Sequence, residues 1–371
     1  MPKDLRVLIL IILSILLIGC SNIQNNEGSN NASENQAEQA ERNLTTENSN
    51  EIVAPESEIV DSQYVKINDY VSPDNTWGVR VYAKMFANGL PPGFEFILLN
   101  KGKEQRFSQP IQFSREDLML TEPVIWTTNN RVVINGEWVF DKSNSRLSRM
   151  DPKLDWVYTY SFSPDKKYLA RCEKSDNNSQ FGMEIRLFDL EDLSSKTLYF
   201  FPGAKVWTSG ISFSIAWTDN ESFVFDGNLD EQPTVFRYSL TSEKVETFRL
   251  KAWSPKTFPD SNFVSFIPIA NYFRHAEEII VQDKESGAEI RIPAQGILYW
   301  LDRNRFILMY GSEITAYSIK KDLTYSRKPI NEHSATPVLI DVKDNYLQIK
   351  YLKFNDYYPF SIEEETIKLD S

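Results

Sequence analysis

A turn centred on aspartate or asparagine recurs along most of this chain, entered by a β-like stretch and left by an apolar run. It reads Ser72-Pro73-Asp74-Asn75, Trp126-Thr127-Thr128-Asn129-Asn130, Phe162-Ser163-Pro164-Asp165 and Trp217-Thr218-Asp219-Asn220. Later copies are Phe258-Pro259-Asp260-Ser261, Trp300-Leu301-Asp302-Arg303 and Val342-Lys343-Asp344-Asn345. At the fifth copy, Trp253-Ser254-Pro255 competes for the same place. A strand, a polar turn and a second strand follow each copy, with anchors at Asn100, Asp141, Asp189, Ser239, Asp283, Ser318 and Ser361. The anchors recur every ~43.5 residues on average, inside the 40–45 typical of four-stranded propeller blades.

Strands, not helices, fit the pattern. Apolar residues alternate with period two, as in Phe223-Val224-Phe225 and Tyr346-Leu347-Gln348-Ile349, and β-branched and aromatic types dominate. Asp, Asn, Gly and Pro punctuate them, because their side chains or fixed dihedrals favour reversal. The expected fold is all-β, a β-propeller over residues 61–371 with seven four-stranded blades, six or eight being compatible with the irregular fourth and fifth copies. Radial repetition leaves only short, protected sheet edges. Ring closure is open at this point: packing between first and last blades, or a strand borrowed from near Tyr64 to Ile67.

The run Phe162-Ser163-Pro164-Asp165-Lys166-Lys167-Tyr168-Leu169-Ala170 resembles the blade repeat of TolB-like propellers and of the prolyl-oligopeptidase propeller. The glycine usual after the motif aspartate is replaced by Asn75, Lys166, Asn220 and Ser261. No Gly-x-Ser-x-Gly elbow accompanies it, so the resemblance implies a fold and no peptidase activity. Nor does it imply the TolB role, whose extra N-terminal domain has no counterpart here.

The N-terminal end carries a different signal. Lys3 and Arg6 precede an apolar run from Val7 to Ile18, broken only by Ser14, and Leu17-Ile18-Gly19-Cys20 closes it. The run has the length of a secretory h-region and is short for a membrane span, which takes about 20 residues. The junction resembles the lipobox of bacterial lipoproteins. That resemblance implies cleavage between Gly19 and Cys20, a signal peptide over 1–19, and lipid on the Cys20 sulfur. Two acyl chains give a durable anchor where one binds only marginally. Residues 20–60 are rich in Asn, Glu, Ser and Gln, without an aromatic residue. Such a segment cannot bury enough surface to offset ordering its backbone, and the expectation is a disordered tether on the extracytoplasmic face of the membrane.

Charge bears on partners. Once the leader's net +1 is gone the chain carries −13, of which eight glutamates and Arg42 put −7 in residues 21–60, leaving −6 in the head. A mildly acidic head lacks the basic footprint of nucleic-acid binding and the polybasic segments that dock on anionic lipid. With Cys20 assigned to lipid, Cys172 is single, leaving neither a disulfide framework nor a cysteine metal motif; an inert core thiol is expected.

Candidate chemistry is sparse. Asp74, Asp165, Asp219, Asp260, Asp302 and Asp344 each occupy the same turn of a different repeat, which local hydrogen bonding explains. Asp226, Asn228, Asp230 and Glu231 gather oxygen ligands in one loop without the glycine and terminal glutamate offsets of a calcium loop. His275 and His333 form no Ser-His-Asp or His-Glu-x-x-His arrangement. Trp126, Trp217 and Trp300 recur just before the turn, which points to packing between blades; Trp77, Trp138, Trp156, Trp207 and Trp253 break the pattern and are open to exposure at a binding face. No catalytic residue, metal ligand or cofactor site is expected. The sequence therefore reads as a membrane-anchored, monomeric head that binds or scaffolds an envelope protein, peptide or glycan. The alternatives are a propeller enzyme with a site at the central channel (a lactonase or a glycan-active hydrolase or lyase) and an assembly factor for envelope proteins.

Overall fold

A computed structural model describes residues 64–369, apart from 85–92, 102–104, 107–110, 115–121, 128–129, 152–156, 178–179, 203–213, 231, 270–276, 311–312, 333–335, 344–345 and 356–357. Every regular element among them is a strand, and the strands form seven antiparallel sheets, the blades of a propeller ring. Blade 1 holds β1 (Tyr64–Val71), β2 (Trp77–Lys84), β3 (Gly93–Asn100), β4 (Gln105–Arg106) and β5 (Ile111–Ser114). Blade 2 holds β6 (Val124–Trp126), β7 (Arg131–Ile134), β8 (Trp138–Asp141) and β9 (Arg146–Arg149). Blade 3 holds β10 (Val157–Phe162), β11 (Tyr168–Asn177), β12 (Gln180–Asp189) and β13 (Ser195–Pro202). Blade 4 holds β14 (Ile215–Trp217), β15 (Ser222–Leu229), β16 (Gln232–Ser239) and β17 (Lys244–Leu250). Blade 5 holds β18 (Ala252–Lys256), β19 (Phe263–Pro268), β20 (Ile279–Asp283) and β21 (Glu289–Ile292). Blade 6 holds β22 (Ile297–Trp300), β23 (Arg305–Tyr310), β24 (Glu313–Ile319) and β25 (Tyr325–Glu332). Blade 7 holds β26 (Thr336–Lys343), β27 (Tyr346–Asn355) and β28 (Tyr358–Lys368).

Burial explains the strand compositions. Second and third strands are covered on both faces by neighbouring blades, so β3 is buried at every position from Gly93 to Leu99 and reads as a nearly continuous apolar run. Fourth strands lie at the rim: β17 holds only exposed and half-buried residues, without a fully buried one. First strands touch first strands of the next blade, as β10 does β14, β14 does β18 and β18 does β22, which places them innermost.

Six of the seven sequence anchors share one structural position. Asn100, Asp141, Asp189, Ser239, Asp283 and Ser318 each pair with the first residue of the second strand of their blade. In blade 7 that partner is Lys368, opposite Tyr346, and Ser361 instead faces Lys353. The correction has a physical cause. Blade 7 ends after its third strand among the described residues, so no polar C–D turn marks the anchor. Blade 1 departs in the other direction, since β4 and β5 both pair with β3, at its two ends, and together form a split fourth strand.

The motif turns fold as their chemistry dictates. Ser72 Oγ accepts the Trp77 amide at 3.0 Å and donates to Asp74 at 2.6 Å; Ser163 repeats this with Tyr168 and Asp165 at 2.9 and 2.7 Å. Asn75 and Lys166 take the left-handed conformation, with φ of 58° and 59°, in place of the usual glycine. Asn220 and Ser261 do not. In blade 5 the left-handed residue is Asp260 (φ 58°), one position early, which explains the irregular fifth copy. Its amide donates to Thr218 O of blade 4 at 2.8 Å, and Ser261 Oγ donates to Arg303 O of blade 6 at 2.6 Å, so these turns also belt adjacent blades together.

Among the described residues the ring closes by packing of its first and last blades. Tyr64 to Lys66 pair with β2 of blade 1, Ile67 bulges out of that register, and no described strand of the last blade pairs with β1. Ile67, Val79 and Phe94 of blade 1 share a buried apolar cluster with Val338 and Leu352 of blade 7. β1 packs on β28 as β18 packs on β16, so the first–last junction repeats the geometry of an ordinary one.

Candidate functional site

A groove lies between blades 6 and 7, where blade 7 has no fourth strand among the described residues. At five other blades the fourth strand covers the outer part of the sheet. Here β28 is the last described strand, and it lies beside β24 and β25 of blade 6. The result is a cavity of about 1030 Å³ lined by β24, β25, the Leu301–Arg305 turn and Ile367–Leu369. This volume matches typical ligand clefts of ~300–1,000 Å³. Its floor is apolar, with Leu301, Tyr317 and Leu369 buried and Ala316, Ile330 and Ile367 half-buried. Its rim is basic: Arg303, Arg305, Arg327, Lys328 and Lys368 against Asp302 alone. Arg305 Nε donates to Asp302 at 2.6 Å, which neutralises that carboxylate. Arg303, Arg327, Lys328 and Lys368 are exposed.

β28 supplies the second element of the site. Its only pairing among the described residues is with β27, and no described strand lies along its other edge. Exposed edges are templates for another strand. Glu363 and Glu364 on β28 are matched by Lys353 and Lys350 of β27, and Glu365 accepts the Tyr351 hydroxyl at 3.1 Å. Arg303 also reaches Asp260 at 3.6 Å, and the charged side chains lining the cleft at the Lys368 end of β28 are mostly basic. Nothing in the sequence reading pointed to the groove, because its bases are scattered over four elements.

The channel end of the first strands forms a second cluster. Tyr70, Tyr299 and Asp341 sit at equivalent positions of β1, β22 and β26, each opposite the third residue of the second strand. Burial pushes the Tyr299 hydroxyl up to about 12, with the Glu122 and Asp341 charges adding to it. Burial also raises Tyr70, against an Asn68 hydrogen bond and with Asp341 in support. Glu122 is held in the left-handed region (φ 44°) and forms an ion pair with Lys166 of blade 3. That pairing commits Glu122 to joining blades 2 and 3.

Other candidates resolve into structural roles. Asp74, Asp165, Asp219 and Asp302 accept hydrogen bonds from amides two residues on, in their own turns. Asp260 instead donates its backbone amide to Thr218 O, as described, and its carboxylate lies 3.6 Å from Arg303; Asp344 lies outside the described residues. Asp226 is buried and pins two loops, accepting the Ser214 amide at 2.6 Å and the Ser254 amide at 3.0 Å. Tyr199 donates to Asn228 O, Asp230 is exposed, and Glu231 lies outside the described residues. Among those residues no group of three or more His, Cys, Asp or Glu is placed to hold a metal. His275, His333, Gly19 and Cys20 are also outside them.

Trp126, Trp217 and Trp300 do occupy one repeated position, opposite the second residue of the second strand. Trp217 and Trp300 donate to Ser161 O and Ser265 Oγ of the preceding blade at 2.9 and 3.0 Å. Trp77 is buried, Trp138 and Trp253 half-buried, and Trp156 and Trp207 lie outside the described residues. Cys172 is fully buried, and burial raises its thiol well above the ordinary range, which makes it unreactive.

Blades 2 and 3 are joined by charge. Arg171, fully buried, donates to Glu173 at 2.5 Å and to Gly136 O at 3.0 Å. Arg186 bridges Glu173 at 2.8 Å and Asp151 at 2.5 Å. Both guanidinium groups lie over the Phe188 ring, at 4.2 and 5.1 Å.

No protein-family model matches the sequence, and no curated protein matches it. Solved structures are similar at the level of fold. TolB from Acinetobacter baumannii is 11% identical, over 78% of this chain and 83% of that one, with a TM-score of 0.39. An oligogalacturonate lyase in complex with manganese is 11% identical over 83% and 97%, with a TM-score of 0.48. A virginiamycin B lyase from Staphylococcus aureus, bound to quinupristin, is 13% identical over 78% and 93%, with a TM-score of 0.44. At these values the ligands and activities belong to those proteins alone, and the propeller assignment rests on the strand pairing of this chain.

Proposed function

We propose that this chain is an anchored binding module of the bacterial cell envelope, whose head captures an extended, acidic segment of a partner polypeptide. Lipid on Cys20 holds it to the membrane, residues 20–60 serve as tether, and the groove between blades 6 and 7 is the site. The observation that carries the reading is the coincidence of a basic-rimmed, apolar-floored cleft with an edge of β28 that has no partner strand among the described residues. Strand addition draws affinity from main-chain hydrogen bonds and specificity from pockets for alternate side chains. A segment alternating acidic and aliphatic residues meets both demands: aliphatics on Ala316, Ile330 and Ile367, carboxylates at Arg303, Arg327, Lys328 and Lys368.

The test is fluorescence anisotropy with two labelled dodecapeptides, one alternating Glu with Val and one alternating Lys with Val, titrated with the full chain in detergent. The Glu-Val peptide binds, more weakly as salt rises, and an Arg327→Glu, Lys328→Glu variant loses it. Equal binding of both peptides, or a Glu-Val preference untouched by the double substitution, refutes the groove.

A further inference from the structure

Strand direction sorts the exposed apolar side chains by face. Every pairing is antiparallel, so within a blade the first and third strands start at one end of the sheet and the second and fourth strands finish there. Turns at the other end touch from blade to blade: Asp74 meets Lys142, Arg131 meets Leu190 and Asp165 meets Asn220, and blades 4 to 6 are belted as described above. The blades therefore share one polarity. β1 starts at the first of these ends, so the chain preceding Tyr64 joins the head at that face.

Leu229 closes β15, Leu250 closes β17, Ile297 opens β22 and Tyr310 closes β23, which puts all four at the same face. Their exposures are 37, 52, 56 and 60%. Val71, Tyr325 and Tyr346 stand at the opposite face with 37, 38 and 40%. Among the described residues, the three most exposed large apolar side chains thus share the face that the tether enters. They also share a sector of the ring: blade 4, blade 6 and the exposed Pro293 that follows blade 5 between them.

A tethered apolar sector meets lipid first. A coil the length of residues 21–63 reaches about 36 Å on average, and tethering raises effective concentration enough to turn a weak affinity into occupancy. Arg291 beside the sector is paired with Glu278, and the other exposed charges there are Asp230, Glu277 and Glu313 against Lys251. Anionic headgroups gain nothing from that balance. Tyr310 suits a zwitterionic interface, with its ring toward the acyl boundary and its hydroxyl toward water. The groove opens at the far end, where the Leu301–Arg305 turn and the end of β28 lie.

We infer that the face carrying Leu250, Ile297 and Tyr310 rests on the surface of a zwitterionic bilayer, which turns the groove outward to its partner. This orientation rests on the Cys20 anchor.

The acylated full chain in phosphatidylcholine vesicles tests it. A fluorophore is attached in turn to Ile297→Cys, Tyr310→Cys, Tyr325→Cys and Tyr346→Cys; Cys172 is fully buried and stays unlabelled. A lipid carrying a nitroxide high on its acyl chain quenches the labels at 297 and 310 at least threefold more than those at 325 and 346. Leu250→Glu with Ile297→Glu removes that contrast at position 310 while the chain still floats with the vesicles. Equal quenching at all four positions of a floating chain overturns the orientation and leaves the anchor standing. Disulfide-linked dimers through Ile297→Cys, without lipid quenching, assign the face to a second copy and overturn it as well. A chain that does not float overturns the anchor and the orientation together.

Discussion

Lys350 of β27 donates its ammonium to the main-chain carbonyl of Ile67 at 2.9 Å, joining the last blade to the first. The carbonyl is available because β1 carries a bulge there, with the register slipping between Lys66 and Asn68. Bulges leave one residue without a ladder partner, and the far end of the chain supplies one. The same ammonium reaches Glu364 at 3.0 Å.

Lys350→Met therefore loosens the ring at its seam. A charged hydrogen bond to a carbonyl that is otherwise left without one is worth about 1–2 kcal/mol, and urea denaturation should show that loss. Glu364→Gln, at an exposed carboxylate, should cost at most about 0.5 kcal/mol. Equal effects would place the stabilisation in the ion pair and not in the seam.

Between blades 2 and 3 the charges are buried, and removing one partner is expensive. Glu173→Gln strands Arg171 and weakens Arg186, for a loss of about 3–5 kcal/mol. The double variant Arg171→Met, Glu173→Gln should fall well short of the sum of the single losses, with a coupling of about 1–3 kcal/mol. A denaturation double-mutant cycle that is additive would contradict the pairing.

The turn carboxylates set an acid limit. The Ser286 amide and hydroxyl hold Asp283 below the usual carboxylate range. The Ser143 hydroxyl and amide do so for Asp141 against burial. At Asp165 burial pushes upward, and the Ser163 hydroxyl and Lys167 amide outweigh it. A carboxylate depressed in the folded state contributes stability that is fully present above its unfolded value of about 3.9 and lost as pH falls through the folded one. Melting temperature should thus be flat from pH 7 to 5 and drop below about pH 4. Asp283→Asn, which keeps an acceptor for the same amides, should shrink the drop; an unchanged profile would show that this turn does not contribute.

Anchoring has its own test. Cys20→Ala should release the protein from the membrane fraction and remove the acyl mass from its mature N-terminus, with the melting temperature of the head unchanged. Retention of the variant in membranes would show that some other segment anchors it.

Much of this architecture was legible in the residues. Ser72-Pro73-Asp74 and Ser163-Pro164-Asp165 announce their turns because the hydrogen bonds are local, and Trp217 and Trp300 announce blade contacts because the repeat fixes their phase. Asp260 broke the pattern by carrying the left-handed dihedral one residue early, a backbone choice that side-chain identity does not encode. The groove was invisible for a different reason. Arg303, Arg327 and Lys368 are distant in sequence and meet only where blades 6 and 7 adjoin, and Ser361 had been given the place that Lys368 holds.

The account turns on β28 being the edge where the head takes up a strand, and residue-resolved hydrogen exchange along Ser361–Lys368 tests that most directly. In the free chain every second amide of this stretch should exchange quickly, and saturating Glu-Val peptide should slow those same amides at least tenfold while leaving the β27-bonded ones as they were. Alternate amides that exchange at one rate with and without the peptide would contradict it.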